Sequence, residues 1–288
     1  MSLALTAGSA HAEFVPELGM VCASLREGER ELLDQRRGLE PYRERGKTMG
    51  IPLLYPWANR LSRRNFELAG RPVRLPEPGT TIGIDEHGLP IHGAMARLMR
   101  WEASARGSGL EARLQWRSPE LLAILPFAHS VHYRARLEPG PELAIEVTVH
   151  ADAGDPVPVA FGLHPYLRLP PAAAEIELPE CDRLGLDRQG LPDGTRAVFG
   201  PGRFALDRAW DEALALAGGP ARFAAPGFEV SFETGFGYGQ VFSPDGADFV
   251  CFEPMTAPAN ALISGDGLRV LAPGQDLRAS FRIAWELY

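Results

Sequence analysis

The chain has 288 residues, 45% of them hydrophobic and 23% charged. This is the composition of a folded globular protein, and it excludes bulk disorder. The formal net charge of −8 excludes nonspecific nucleic-acid binding, which needs clustered cations. No segment approaches the ~20 consecutive apolar residues of a membrane-spanning helix. We therefore expect a protein that binds neither nucleic acid nor a membrane.

Short apolar runs bounded by glycine, proline, Asp or Asn recur along the chain, with the length and alternation typical of β-strands. Residues 1–14 predict a first hairpin rather than a signal peptide, because they lack a basic start and their apolar run is broken at Thr6 and Gly8. The later runs are residues 20–25, 110–116, 130–137, 143–149, 157–163, 228–232, 239–242, 249–252 and 278–287. The pair 130–137 and 143–149 predicts a second hairpin, because Glu138 to Glu142 between them read as a turn.

Helix is scarce in the predicted structure, since 31 glycines and 26 prolines interrupt the chain. The best helical candidate is residues 208–217, which are rich in alanine and leucine and end at Gly218 and Gly219. No stretch has the composition of a linker, and no internal repeat is present. Successive strands can pair antiparallel without crossover helices. The expected fold is therefore all-β, a large antiparallel β-sandwich formed by a single domain over residues 1–288.

The three cysteines, Cys22, Cys181 and Cys251, are odd in number, far apart and in no C-x-x-C pair. This pattern argues against a disulfide framework and against a zinc–cysteine site. It favours a reducing compartment, and we expect a cytoplasmic protein.

Histidines are the first candidates for chemistry. His92 and His164 each follow an apolar residue in a turn marked by glycine or proline, PIHG and GLHPY. Such a turn can present an imidazole, the natural acid/base group near neutral pH, to a cleft. The alternative is a buried histidine with satisfied hydrogen bonds. His129 and His132 form an H-x-x-H pair within a predicted strand, where residues three apart point to opposite faces, so we expect no shared metal.

Two charged residues stand beside apolar or aromatic neighbours. Glu253 ends an apolar strand before Pro254, and a carboxylate that enters an apolar wall tends to have a raised pKa, which suits a general base. A salt bridge at the rim is its alternative role. Arg60 lies three residues after Trp57, and a fixed cation near an aromatic ring is suited to binding polyhydroxylated ligands. Its alternative role is structural.

Taken together, these residues resemble the aldose 1-epimerase family, the galactose mutarotases. The segments that carry the resemblance are PLLYPWANRL at 52–61, IHG at 91–93, HPYLRL at 164–169 and FEPMTAPANAL at 252–262. Their order and spacing extend the resemblance over essentially the whole chain. It implies a twisted super-sandwich of antiparallel strands with an open sugar-binding cleft. It also implies interconversion of the α and β anomers of free aldohexoses, without metal or organic cofactor.

The resemblance assigns roles residue by residue. His164 matches the general acid and Glu253 the general base of the family, while Arg60 and His92 match sugar-binding residues. Asp211, in the segment WDEAL, is the nearest match to the family's sugar-binding aspartate.

Three positions leave the identity of the sugar or of its ligands open. Asp207 competes with Asp211 for the role of sugar-binding aspartate. Leu214 stands where an aromatic residue is more usual in the family, and Arg168 stands where many relatives carry asparagine.

Other functions stay open at this point. An epimerase of hexose 6-phosphates would need a cationic phosphate site, which Arg63, Arg64, Arg97 and Arg100 could form. A noncatalytic carbohydrate-binding protein on the same fold would not need an acid and a base. A glycosidase requires two carboxylates that flank the scissile bond, and the sequence nominates only Glu253.

Overall fold

The structure, a computed structural model, describes residues 2–152, 154–171 and 173–287. The strands are β1 (Leu3–Ala7), β2 (Ala10–Val15), β3 (Val21–Glu27), β4 (Arg30–Glu31), β5 (Leu53–Leu54), β6 (Asn65–Leu68), β7 (Arg71–Arg74), β8 (Ile82–Ile84), β9 (Pro90–Ala94), β10 (Glu102–Arg106), β11 (Gly109–Trp116), β12 (His129–Leu137), β13 (Glu142–His150), β14 (Val157–Val159), β15 (Gly162–Leu163), β16 (Tyr166–Arg168), β17 (Glu175–Leu178), β18 (Cys181–Leu186), β19 (Pro192–Val198), β20 (Gly202–Ala205), β21 (Trp210–Leu216), β22 (Ala221–Ala225), β23 (Phe228–Thr234), β24 (Tyr238–Ser243), β25 (Phe249–Met255), β26 (Arg269–Leu271) and β27 (Asp276–Trp285). The helices are α1 (Leu39–Arg45), α2 (Pro119–Leu122) and α3 (Ala261–Ser264), with 3₁₀ turns at Pro16–Leu18 and Ala96–Leu98. The predicted all-β class is confirmed.

Two large antiparallel sheets form the body of the molecule. One has nine strands in the order β10-β11-β12-β13-β27-β23-β22-β17-β20. The other has the order β19-β18-β21-β24-β25-β15-β5, with β16 also paired to β25. Along β13 every second residue is buried, as expected for a strand with one face on the core and one towards water.

The two sheets pack through aromatic side chains. Phe252 of β25 contacts Phe223 of β22, with ring centroids 5.2 Å apart, and every residue of β25 is buried. Because side chains alternate between the faces of a strand, Glu253 points to the opposite side of the sheet from Phe252. This alternation places a carboxylate on the outer face of a central strand.

The predicted hairpins are confirmed, and the predicted helix is wrong. β1 pairs with β2 from Leu3↔Phe14 to Ala7↔Ala10, and β12 pairs with β13. Residues 208–217 contain β21 instead of a helix. This strand has neighbours on both sides, β18 and β24, and it buries Trp210 and Leu214. Hydrogen bonding to two partners and burial therefore outweigh the helix propensity of its alanines and leucines.

His129 and His132 lie on opposite faces of β12, as the sequence predicts. The His129 ring is fully buried. Its Nδ1 donates to the Phe127 carbonyl at 2.7 Å, and its Nε2 accepts from the Tyr55 hydroxyl. Burial lowers the pKa of His129 to about 4. His129 is thus a neutral core residue with both ring nitrogens bonded.

The three cysteines are buried free thiols. Within the described ranges, no helix is both long and apolar enough to cross a membrane.

Candidate active site

A cleft of about 430 Å³ opens on the outer face of the eight-stranded sheet. The five residues assigned to the site from the sequence all line it: Arg60, His92, His164, Asp211 and Glu253. They come from segments up to almost two hundred residues apart, and the sheet order brings them together.

Three neighbouring strands supply one wall of the cleft. Asp211 lies on β21, Gln240 on β24 and Glu253 on β25, and the last two are direct cross-strand partners. Gln240 Nε2 donates to Asp211 Oδ1 at 2.5 Å, while its buried Oε1 has no hydrogen-bond partner among the described residues. Asp207 is exposed, precedes β21 and does not line the cleft. The geometry therefore favours Asp211 over Asp207, and it adds Gln240, which the sequence did not suggest.

His164 and Glu253 form a buried pair at the base of the cleft. His164 Nε2 lies 3.2 Å from Glu253 Oε1, and the two residues are 5% and 2% exposed. The contact arises because the strands flanking His164, β15 and β16, both pair with β25. This distance allows direct proton transfer between the two side chains.

The electrostatics of this pair follow from burial. Burial, and secondarily the charge of Asp211, hold the pKa of Glu253 well above its usual value. Burial holds the pKa of His164 well below its usual value. When the pair shares one proton, burial thus favours the uncharged form. The ion pair is reached by moving that proton from the carboxyl group to the imidazole.

His92 is held in a left-handed backbone conformation with φ of 61°. Its N–H donates to the Asn59 carbonyl at 3.0 Å, and its Nδ1 accepts from the Asn59 N–H at 3.3 Å. Burial and the charge of Arg60 lower the pKa of His92 to about 3, so the ring is neutral. Because Nδ1 is an acceptor, the ring proton lies on Nε2, which makes Nε2 a donor.

Arg60 is fixed by two acidic residues, Asp85 and Glu86, of the loop between β8 and β9. Its Nε donates to Asp85 Oδ2 at 2.6 Å, and its Nη2 donates to Glu86 Oε1 at 3.1 Å. Asp85 Oδ1 accepts from the backbone N–H groups of His87 and Leu89 at 2.9 and 2.8 Å. Asp85 thus joins the loop to the guanidinium, and its side chain is only 1% exposed.

Asn260, in the PAN part of the fourth motif segment, supports the backbone of Arg60. Its N–H donates to the Arg60 carbonyl at 2.8 Å, and its Oδ1 accepts from the Ser62 N–H at 2.9 Å. Asn260 therefore contributes to the site by holding the chain that carries Arg60.

The arginines considered for a phosphate site lie elsewhere. Arg63, Arg64, Arg97 and Arg100 do not line the cleft. Arg64 forms a salt bridge with Glu77 at 2.7 Å. Arg168, the unusual residue of the HPYLRL segment, also lies outside the cleft lining, and its Nη2 is 3.6 Å from Asp34.

The described part of the chain contains no group of three or more His, Cys, Asp or Glu side chains arranged to hold a metal ion. The cleft is lined by the His164–Glu253 pair and by hydrogen-bonding groups around it.

Comparison with known proteins decides the family. The sequence model described as aldose 1-epimerase matches residues 2–209. The chain belongs to the aldose 1-epimerase family. This match includes Arg60, His92 and His164, whereas Asp211 and Glu253 lie beyond it. No match was found among curated proteins.

Solved structures show that the family fold extends over the whole chain. A galactose mutarotase-like protein from Clostridium acetobutylicum is 15% identical, with a TM-score of 0.81 over 100% of this chain and 95% of that one. A galactose mutarotase-like protein from Lactobacillus casei is 17% identical, with a TM-score of 0.77 over 99% and 100%. The GalM/aldose epimerase homologue from C. elegans is 15% identical, with a TM-score of 0.77 over 99% and 98%.

Proposed function

We propose that this protein is an isomerase, an aldose 1-epimerase that interconverts the α and β anomers of a free aldohexose. The observation that carries the proposal is the buried pair of His164 and Glu253, 3.2 Å apart, at the base of a cleft rich in hydrogen-bonding groups. A noncatalytic sugar-binding protein has no need of a buried acid/base pair, whereas anomer exchange requires one. The family match supports the same reaction class.

The reaction opens and recloses the sugar ring. Glu253 as carboxylate removes the proton from the C1 hydroxyl, the C1–O5 bond breaks, and His164 as imidazolium protonates O5. The open-chain aldehyde then rotates about C1–C2. Closure runs in reverse: His164 removes the O5 proton while O5 attacks C1, and Glu253 returns its proton to O1. The proton count of the pair is the same before and after, so no exchange with water is needed.

The sugar itself can prepare the pair for this reaction. The ion pair and the uncharged pair hold the same single proton, and they differ only in its position between Glu253 and His164. A bound sugar brings hydroxyl groups that can hydrogen-bond to the carboxylate, and hydrogen bonding to the charged form favours that form. The nearby Arg60 charge acts in the same direction on Glu253. General acid and base groups of this kind each contribute ~10²–10⁴ in rate.

The remaining lining groups would hold the rest of the sugar while C1 turns. Arg60 and the Nε2–H of His92 are donors, and Asp211 and Gln240 Oε1, which has no partner among the described residues, are acceptors. Filling the Gln240 acceptor would remove the penalty of a buried unpaired carbonyl, ~1–3 kcal/mol. Fixing the sugar in this way supplies the orientation that the proton transfers need.

A second candidate substrate is a sugar that carries an anionic group such as a phosphate. The observation in its favour is that Arg45 and Lys47 are exposed, line the same cleft and form no ion pair with another described residue. Arg45 is the last residue of α1, and Lys47 lies two residues later. They replace the arginines that the sequence suggested for this role.

Exchange NMR distinguishes these candidates. Magnetisation transfer between the α and β anomeric protons is measured for glucose, galactose and glucose 6-phosphate with catalytic amounts of the protein. The proposal expects exchange of the neutral hexoses above the spontaneous rate. If only glucose 6-phosphate exchanges, and the R45A/K47A double variant loses that exchange, the second candidate is correct. If none of the three sugars exchanges faster, the proposed activity is wrong for these sugars.

A further inference from the structure

In the part of the chain that the structure describes, no hydrogen bond on its far nitrogen orients the imidazole of His164. His164 Nδ1 is buried and has no partner among the described residues, although a bond at this position commonly fixes the ring of a catalytic histidine. Another contact must therefore hold the ring plane that directs Nε2 to Glu253.

The neighbouring contact is with Tyr166, two residues later on β16. Residues two apart in an extended segment lie on the same face, and the two rings stack with centroids 4.4 Å apart and planes within 6°. The other ring contacts of His164 are edge-on, at 5.7 Å from His92 and 5.9 Å from Phe242. Among the described aromatic residues that contact His164, only Tyr166 has its ring parallel to the imidazole.

Tyr166 is itself fixed from several sides. Its hydroxyl lies 2.6 Å from Thr48 Oγ1, and its ring packs against Phe249 with centroids 5.3 Å apart. The guanidinium of Arg36 lies 4.4 Å from the Phe249 ring centre and 5.9 Å from that of Tyr166. The residue is 4% exposed, so its ring is a rigid surface.

We propose that Tyr166 is a positioning residue, whose ring fixes the imidazole plane of His164 so that Nε2 stays directed at Glu253 and the reacting sugar. Its hydroxyl is also 3.4 Å from His164 Nε2, but this long contact is secondary to the stack. The inference rests on the proposed function, because it assigns Tyr166 to the proton transfer carried out by His164. Misplacement of a reacting group by ~1 Å can lower the rate by ~100-fold.

Two substitutions separate the ring from the hydroxyl. Tyr166→Phe keeps the stack and loses the bond to Thr48, whereas Tyr166→Leu removes the stack. We expect Tyr166→Leu to lower kcat by roughly 10- to 100-fold with little change in KM, since the residues that hold the sugar are untouched. Tyr166→Phe should stay within about threefold of the wild type. Tyr133→Phe is the matched control, because Tyr133 is another buried tyrosine and it lies outside the cleft lining.

A spectroscopic measurement tests the stack without reference to activity. In the wild type, the carbon-bound ring protons of His164, assigned by their loss in His164→Asn, should be shifted upfield by the Tyr166 ring current. The shift should persist in Tyr166→Phe and disappear in Tyr166→Leu. Unshifted wild-type protons overturn the proposal even if Tyr166→Leu does not fold.

The kinetic outcomes are equally decisive. A folded Tyr166→Leu protein with wild-type kcat overturns the positioning role, and so does a Tyr166→Phe protein as impaired as Tyr166→Leu, because the hydroxyl would then be the important group. A wild-type protein that exchanges no sugar would contradict the proposed function, whereas the ring-current result would still report on the stack.

Discussion

Replacement of Asp85 by asparagine tests the hydrogen bond by which Asp85 holds Arg60. Asp85 Oδ1 accepts hydrogen bonds from two backbone N–H groups of its own loop, and Asp85 Oδ2 accepts one from Arg60 Nε at 2.6 Å. In Asp85→Asn the amide oxygen can keep both backbone bonds, so the loop retains its turn. The amide nitrogen then faces Arg60 Nε, donor against donor, and the guanidinium must move.

The expected loss can be estimated from that one contact. A hydrogen bond to a charged group contributes ~1.5–3 kcal/mol, which corresponds to roughly a 10- to 100-fold increase in KM if Arg60 holds the sugar. We expect kcat to change less, because His164 and Glu253 are untouched. Anomer exchange measured over a range of sugar concentrations gives both constants.

Glu86→Gln is the matched control, since Glu86 contacts the same guanidinium at 3.1 Å but is 69% exposed. Exposed ion pairs contribute ~0–1 kcal/mol, so KM should rise by no more than about fivefold. An Asp85→Asn protein with unchanged KM and reduced stability would show that Arg60 is structural. A larger increase in KM from Glu86→Gln than from Asp85→Asn would show that the Asp85 bond does not hold Arg60 in place.

Three further predictions concern pH and packing. Because burial lowers the pKa of His164 and raises that of Glu253, the one-proton pair should persist across neutral pH and give a broad bell-shaped rate profile. His164→Asn should lose the alkaline limb, because the remaining requirement is an ionised Glu253; a narrow wild-type peak or an unchanged alkaline limb in the variant would contradict this. Neutral His129, with a folded pKa of about 4, stabilises the fold above pH 6.5, and this contribution is lost as pH falls from 6.5 towards 4. The urea-unfolding free energy of wild type relative to His129→Gln should therefore drop by ~2 kcal/mol between pH 7 and 5; a constant difference would refute the assignment. Gly93→Ala should unfold at much lower urea concentration than the wild type, because the alanine Cβ would lie 2.2 Å from the Tyr55 carbonyl oxygen. A variant as stable as the wild type would show that the backbone there can move to make room.

The sequence predicts the strands and the main site residues for separate reasons. Alternating apolar residues report the burial of one strand face, so hairpins such as β12–β13 are visible locally. The site residues are recognisable because each stands in a short motif. The helix predicted at 208–217 fails because alanine and leucine describe local propensity, whereas β21 is determined by its partners β18 and β24.

The supporting residues of the site were not predictable in the same way. The bond from Arg60 to Asp85 joins residues 25 apart through the folding of a loop, and no local pattern encodes it. Gln240 is a single polar residue in an apolar run, and its role depends on the register of β24 with β25. The stack of His164 on Tyr166 could have been suggested by their two-residue spacing, but its parallel geometry could not.

The central claim is that Glu253 and His164 together open and close a sugar ring, and polarimetry tests it most directly. Freshly dissolved α-glucose and α-galactose are followed with wild type, Glu253→Gln and His164→Asn at equal concentrations of folded protein. The wild type should accelerate mutarotation, and each variant should lose at least ~100-fold in kcat, in line with typical acid/base contributions. A wild type without acceleration, or a folded Glu253→Gln protein with near-wild-type turnover, would contradict the account.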